Sequence, residues 1–120
     1  MTAPNIVNVT EIYGSTSATL MTTTQANIVA NAANSGKIYK INALYVANIQ
    51  GTNATDVNVN FMNASNAAFA IASTVTVAAD STLVLITKDT SIYLTEGTYI
   101  QANANVVSSL HIICSWDEIK

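Results

Sequence analysis

The stretch that most limits what this chain can fold into runs from Ser35 to Asn48, SGKIYKINALYVAN, and continues through QGTNATD into VNVNFMN. Ile38, Tyr39, Ile41, Leu44, Tyr45 and Val46 form the longest unbroken β-type run in the chain. In the run that follows, Val57, Val59 and Phe61 alternate with Asn58 and Asn60. Successive side chains of a pleated strand point to opposite faces, so the apolar set marks a core face and the asparagines a solvent face. Helical spacing of apolar residues never persists beyond one or two turns.

Shorter pieces repeat the pattern along the rest of the chain. Residues 6–13 alternate as a two-faced strand, Gly14-Ser15-Thr16-Ser17 is expected to turn, and residues 18–24 are Thr-rich, suited to a strand, an edge or an extended arm. Residues 27–32 predict a short strand, and Asn34-Ser35-Gly36 turns the chain into the central run. Asn53 and Asn66 mark turns, because Asn tolerates left-handed backbone. A helix over residues 65–73 is conceivable from its alanines, but the β-branched run Thr74-Val75-Thr76-Val77 favours strand from residue 68 onward. The expected turn Ala79-Asp80-Ser81-Thr82 leads into Leu83-Val84-Leu85-Ile86. Such a continuous apolar run suits a strand buried on both faces, or one covered on one face by a neighbouring subunit. Lys88-Asp89-Thr90-Ser91 turns again, Ile92-Tyr93-Leu94 is a short strand, and Glu96-Gly97 is a tight connection with Gly97 at positive φ. Residues 99–104 and 107–116 close the domain, with Leu110, Ile112, Cys114 and Trp116 on one face of the last strand and His111, Ile113, Ser115 and Asp117 on the other. Eight to ten short strands with turn signals about every 8–12 residues predict an all-β fold. The expectation is a single antiparallel β-sandwich, jelly-roll or immunoglobulin-like, spanning residues 1–120, with residues 1–24 a possible arm or swapped strand.

Charge decides how such a sandwich meets its surroundings. Half the residues are apolar and only 9% are charged, the balance being largely Thr, Asn and Ser. Charge keeps small monomers apart, so a chain this poor in it is expected to cover part of its surface with copies of itself or with a partner. The net charge of −3, with four lysines and no arginine, leaves no basic face for phosphate, and nucleic-acid binding is not expected. The first residues, MTAPNIVNVTEIYG, lack the basic and apolar blocks of a secretory signal, and no apolar run reaches the roughly 18 residues of a membrane-spanning helix. A lone Cys114 fits a chain made in a reducing cytoplasm. The N-x-Ser/Thr triplets at Asn8, Asn53 and Asn63 follow from abundant Asn and Thr.

The residues offer no reactive constellation. His111 is the only histidine, and Cys114, three residues on, projects to the opposite strand face, so no nucleophile–base pair forms locally. Cys114 shares its face with Leu110, Ile112 and Trp116 and reads as a small core residue. Asp117 and Glu118 are adjacent and point to opposite faces, while Asp56, Asp80, Asp89 and Glu96 fall at expected turns. No loop gathers enough oxygens for calcium, and the scattered glycines make no phosphate cradle. No catalytic residue, metal or cofactor is expected. The aromatics Tyr13, Tyr39, Tyr45, Tyr93, Tyr99 and Trp116 supply the one argument for sugar stacking, against the simpler reading of half-buried sheet or interface rings.

Three motifs carry a resemblance: Lys37-x-x-Lys40-Ile41-Asn42-x-Leu44-x-Val46-x-Asn48, Gly51-Thr52-Asn53-Ala54-x-Asp56-Val57-x-Val59, and Ile92-Tyr93-Leu94-x-Glu96-Gly97. With APNIVNV at the start and CSWDEI at the end, the chain resembles small virion structural proteins of tailed bacteriophages, cyanophage-like, over nearly its whole length. It departs from them at Ala78-Ala79, where relatives often carry a proline, and at Thr98, where an acidic residue is common. The resemblance implies a non-enzymatic β-sandwich on the capsid exterior, made in the host cytoplasm. It implies a decoration or cement protein that binds and stabilises the major capsid protein shell. Threefold shell positions suggest a homotrimer. A neck, tail or fibre subunit is the alternative in the same particle, and a carbohydrate-binding module for host attachment the alternative outside that class. Ile6, Val7, Val9, Ile12, Tyr13 and Trp116 are the expected interface residues, with the N-terminal segment reaching a neighbour to cover a sheet edge.

Overall fold

The computed structural model describes residues 10–120. Nine strands follow in chain order: β1 (Ile12–Leu20), β2 (Ala26–Ala30), β3 (Ile38–Asn48), β4 (Thr55–Met62), β5 (Ala68–Val77), β6 (Thr82–Ile86), β7 (Ile92–Leu94), β8 (Tyr99–Ala104) and β9 (Leu110–Ile119). A 3-10 turn at Lys88–Thr90 is the one helical element among the described residues, and none of their helices is long and apolar enough to cross a membrane.

The strands divide into two antiparallel sheets packed as a sandwich. One has the order β1-β9-β3-β6, with β7 also on β3; the other has the order β2-β8-β4-β5. Strands β1, β2, β3 and β4 alternate between the two sheets, which is jelly-roll connectivity and not the hairpin-led immunoglobulin order. β6 and β7 lie along the same edge of β3, at Leu44–Ala47 and Tyr39–Ile41 respectively, as one edge interrupted by the 3-10 turn.

The core is the set of side chains that alternation turns inward. Leu44, Val46, Leu110, Ile112 and Cys114 from the five-stranded sheet meet Val57, Val59, Ile100, Ala102 and Ala104 from the other, nearly all fully buried. Each large aliphatic side chain so buried contributes about 1.5–3 kcal/mol. A bulge in β3 between Ile41 and Ala43 resets the phase of that strand, so Ile41 and Leu44, three apart, both face inward. The bulges of the β4–β5 pair lie on the β5 side, so β4 keeps unbroken register with β8, with Phe61 partly covered and packed on the core and Met62 buried opposite Tyr99.

Two asparagines belong to this interior. Asn31 donates to the carbonyls of Lys37 and Leu94, both at 2.9 Å, and Asn48 donates to those of Asn53 and Val77 at 3.0 and 2.9 Å. The Asn48 Oδ1 accepts from the Gln50 N–H at 2.8 Å, and Asn31 Oδ1 accepts from the Ser35 hydroxyl. Each therefore ties loop backbone to a strand end across the sandwich. Without them those buried carbonyls lose partners, at about 1–3 kcal/mol each.

Several expectations change. Gly14-Ser15-Thr16-Ser17 is no turn: it lies inside β1, in continuous register with β9 from Ile12↔Ile119 to Leu20↔His111. Gly14 is not at positive φ, so nothing in its backbone demands a turn, and the long edge of β9 templates the segment instead. Asp56 lies in β4, where its carboxylate accepts from the Thr76 hydroxyl at 2.7 Å. Of the strand expected at residues 6–13, residues 6–9 lie outside the described residues, as do Asn8 and the expected interface residues Ile6, Val7 and Val9. Of the expected turn residues, Asn34, Gly36, Asn66 and Gly97 lie at positive φ, whereas Asn53 sits in its loop without left-handed backbone.

Candidate functional site

Alternation in the five-stranded sheet leaves an outer face that can be written as rows across strands. Leu20, His111, Ala47 and Thr82 form one row; Ala18, Ile113, Tyr45 and Val84 form the next. Thr16, Ser115 and Ala43 follow, with the Thr16 and Ser115 hydroxyls 3.0 Å apart. Then come Gly14, Asp117, Lys40 and Tyr93, and last Ile12, Ile119 and Ile38, of which Ile119 is buried. Apart from the neighbouring Lys40 and Asp117 and the exposed His111, every position in these rows is uncharged. Val84 is 56% exposed, Ile12 58% and Leu20 46%, so large aliphatic side chains stand in solvent at both ends and on one flank. A hollow of about 170 Å³ lined by Ala18, Thr19, Leu20, His111 and Ile113 lies at the β1–β9 corner of this face.

The outer face of the four-stranded sheet has the opposite character. Asn58 stands opposite Asn103, and Gln101 lies between Asn60 and Asn27. Several of these amides bond one another, nearby side chains or backbone, while Asn103 Oδ1 is left without a partner. Asn58 Oδ1 accepts from the Thr74 N–H at 2.8 Å, Gln101 donates to Asn27 Oδ1 at 3.0 Å, and Tyr99 donates to Asn66 Oδ1 at 2.7 Å. One sheet thus shows solvent a hydrogen-bonded amide lattice, and the other an aliphatic surface whose side chains have nothing to bond.

The expected site residues separate. Ile12 belongs to the outer face described above, at its far row. Tyr13, 56% exposed, stands opposite Glu118 on the inward-turned side. Trp116 also points inward: it is half-buried, packs on the core, and stacks on Tyr39 with ring centroids 6.1 Å apart. Around this pair Lys37 and Glu118 form an ion pair at 3.3 Å, and burial, followed by the Glu118 charge, pushes the Tyr39 hydroxyl's pKa up. The six aromatics considered for sugar stacking are divided among three surfaces: Tyr45 and Tyr93 outside the larger sheet, Tyr13, Tyr39 and Trp116 at its inward-turned end, and Tyr99 outside the smaller sheet. Sequence reasoning placed Tyr45, Val84 and Ile113 on strands without grouping them. The signal that groups them is strand order, which a single sequence does not carry.

Chemistry is sparse among the described residues. No group of three or more His, Cys, Asp or Glu is placed to hold a metal ion. Cys114 is fully buried, and burial pushes its thiol up to about 12, so it stays protonated at neutral pH. What the arrangement offers is surface for association.

No protein-family model matches the chain, and no curated protein matches it. Among solved structures it is similar to a protein of Bacillus endospore appendages, described as forming a novel family of disulfide-linked pili. That likeness has a TM-score of 0.57 at 18% sequence identity and covers 94% of this chain and 90% of the other. At that identity the likeness is one of fold.

Proposed function

We propose that the chain is a non-enzymatic structural subunit that seats the outer face of its five-stranded sheet on a larger assembly. The assembly we favour is a virion, with the chain decorating the exterior of the capsid shell and cementing it. The observation that carries this reading is the face itself: rows of Ala, Leu, Ile, Tyr, Val and Thr with charge confined to one Lys40–Asp117 pair and His111. A surface of that kind gains free energy on being covered and loses little by desolvation. Binding only the assembled lattice would stabilise the shell by mass action. The phage-like motifs of the sequence support the virion context.

A second reading, a subunit of an extended appendage, neck or tail, is favoured by the fold shared with a spore-appendage protein. Disulfide linkage does not transfer with that fold. A chain with one cysteine can join at most one other chain through it, and Cys114 lies in the core.

Co-sedimentation with purified capsid shells separates the readings. Wild-type protein is expected to pellet with shells, and Leu20→Lys and Val84→Lys, both on exposed positions that cost the fold little, are expected to remain in the supernatant. Wild-type protein that never pellets with shells, or variants that pellet as well as wild type, would overturn the decoration reading. Filaments formed by the purified chain alone would establish the appendage one.

A further inference from the structure

The sandwich has four free edges among its described strands, and three are blunted. β2 has five residues and a bulge between Asn27 and Val29. β5 carries two register shifts and Thr74 at φ 50°. β6 has five residues with a bulge and is followed by β7, of three. Bulges, short length, charge and proline are the usual devices that stop one sheet from adding to another. β1 has none of them. It is nine residues long, IYGSTSATL, without charge, proline or bulge, in unbroken register with β9.

The hydrogen bonds show which of its backbone groups are free. The Glu11 N–H donates to the Lys120 carbonyl at 2.8 Å, and the Lys120 N–H donates back to Glu11 at 3.0 Å. At the other end the Met21 N–H donates to Leu110 at 2.8 Å. Bonded and non-bonded pairs alternate in an antiparallel ladder, so odd positions of β1 bond to β9. The N–H and C=O groups of Ile12, Gly14, Thr16, Ala18 and Leu20 therefore point to the open edge.

We propose that this edge pairs with β1 of a second copy, antiparallel and centred on Thr16, to make a twofold dimer with one sheet continuous through both copies. The sequence of the strand is self-complementary in that register. Ile12 stands opposite the partner's Leu20, Gly14 opposite the partner's Ala18, Ser15 opposite the partner's Ser17, and Thr16 opposite its own equivalent. Large meets large, small meets small, and aliphatic and Thr–Thr pairs are favourable cross-strand neighbours. A twofold axis makes the same patch serve both copies. Five facing pairs exchange about ten main-chain hydrogen bonds, all from groups with no strand partner among the described residues of one copy. The rows Leu20–Thr82 and Ala18–Val84 then run on across the axis, so the outer face doubles. The inference goes beyond the reading above and is independent of the capsid shell. It replaces the trimer suggested by shell symmetry with a pair.

Light scattering across a dilution series, with amide exchange by NMR, tests it on the full chain. Wild type is expected at twice the 12.6 kDa chain mass, with slowed exchange at the even-numbered amides of β1. Thr16→Pro removes an N–H that points away from β9, which an edge strand tolerates, and should raise the dissociation constant at least about a hundredfold. Thr16→Lys sets like charges against each other on the axis and should do the same with the fold kept by circular dichroism. A wild-type monomer or trimer, freely exchanging even-numbered amides, or a folded Thr16→Pro or Thr16→Lys variant that still dimerises would each overturn the proposal. A dimer that ignores capsid shells would leave this pairing standing and remove the decoration reading alone.

Discussion

Cys114 shows how much a single side chain settles here. Its neighbours on the inward face of β9, Leu110 and Ile112, are fully buried, and its thiol sits among them with a pKa moved from 9.0 up to about 12 by burial. A raised folded-state value means that folding favours the protonated thiol. That contribution is complete below about pH 9 and is lost as pH rises towards 12, because the unfolded chain gives up its proton first. Burial raises the Tyr39 hydroxyl too, with the same sign. Thermal unfolding is therefore expected to be insensitive to the thiol through neutrality and to shift to lower temperature above about pH 9. A thiol reagent should leave the native protein unmodified and label it fully in denaturant; rapid labelling of the native chain would contradict the buried placement. Cys114 was readable from the i, i+2 pattern of β9 alone. Asn31 and Asn48 were not: one asparagine looks like another in sequence, and only the folded backbone shows that these two have unpaired carbonyls to meet.

The strands were largely legible, and the misreading of β1 is instructive. Alternation located β4 and β9, unbroken β-type and apolar runs located β3 and β6, and turn residues such as Asn34, Asn66 and Gly97 marked the breaks between strands. β1 escaped because its face towards the interior, Tyr13, Ser15, Ser17 and Thr19, is polar or aromatic, leaving no hydrophobic period to read, and because Gly-Ser-Thr-Ser has the composition of a turn. What makes it a strand is pairing with β9, about a hundred residues away in the chain. The glycines report the same distinction. A Cβ on Gly14 would meet only the Asp117 carboxylate at 3.8 Å, so Gly14→Val should be neutral or stabilising by up to about 1 kcal/mol. Gly97 lies at φ 83°, with Ala64 at 3.4 Å from the added atom, so Gly97→Ala should cost about 1–2 kcal/mol. Urea midpoints for the two variants check the pair, and equal midpoints would mean that β1 is misplaced.

For the molecule as a whole, the contrast between the two outer faces sets its behaviour. The amide face is polar and hydrated, so covering it offers a partner little gain, whereas the aliphatic rows gain on contact. Because charge is nearly absent from those rows, self-association should persist when salt is raised from low to about 1 M, where the Debye length falls to about 3 Å. Dissociation by salt, followed by sedimentation, would show that ion pairs hold the copies together. The face could not be assembled from sequence, since it needs the order β1-β9-β3-β6, and that order imposes a schedule as well as a shape. β9 is an inner strand of its sheet, between β1 and β3, and the last of the described strands to be made: Ile119 lies opposite both Ile12 and Ile38. At roughly 5–20 residues per second, β1 waits on the order of 5–20 s after leaving the ribosome for the strand that will hold it. Folding of this sheet therefore waits until β9 has emerged. Until β9 arrives Ile41, Leu44 and Val46 of β3 lack the strand that flanks them, which makes the newborn chain a natural client for whatever shields sticky polypeptides in its cell.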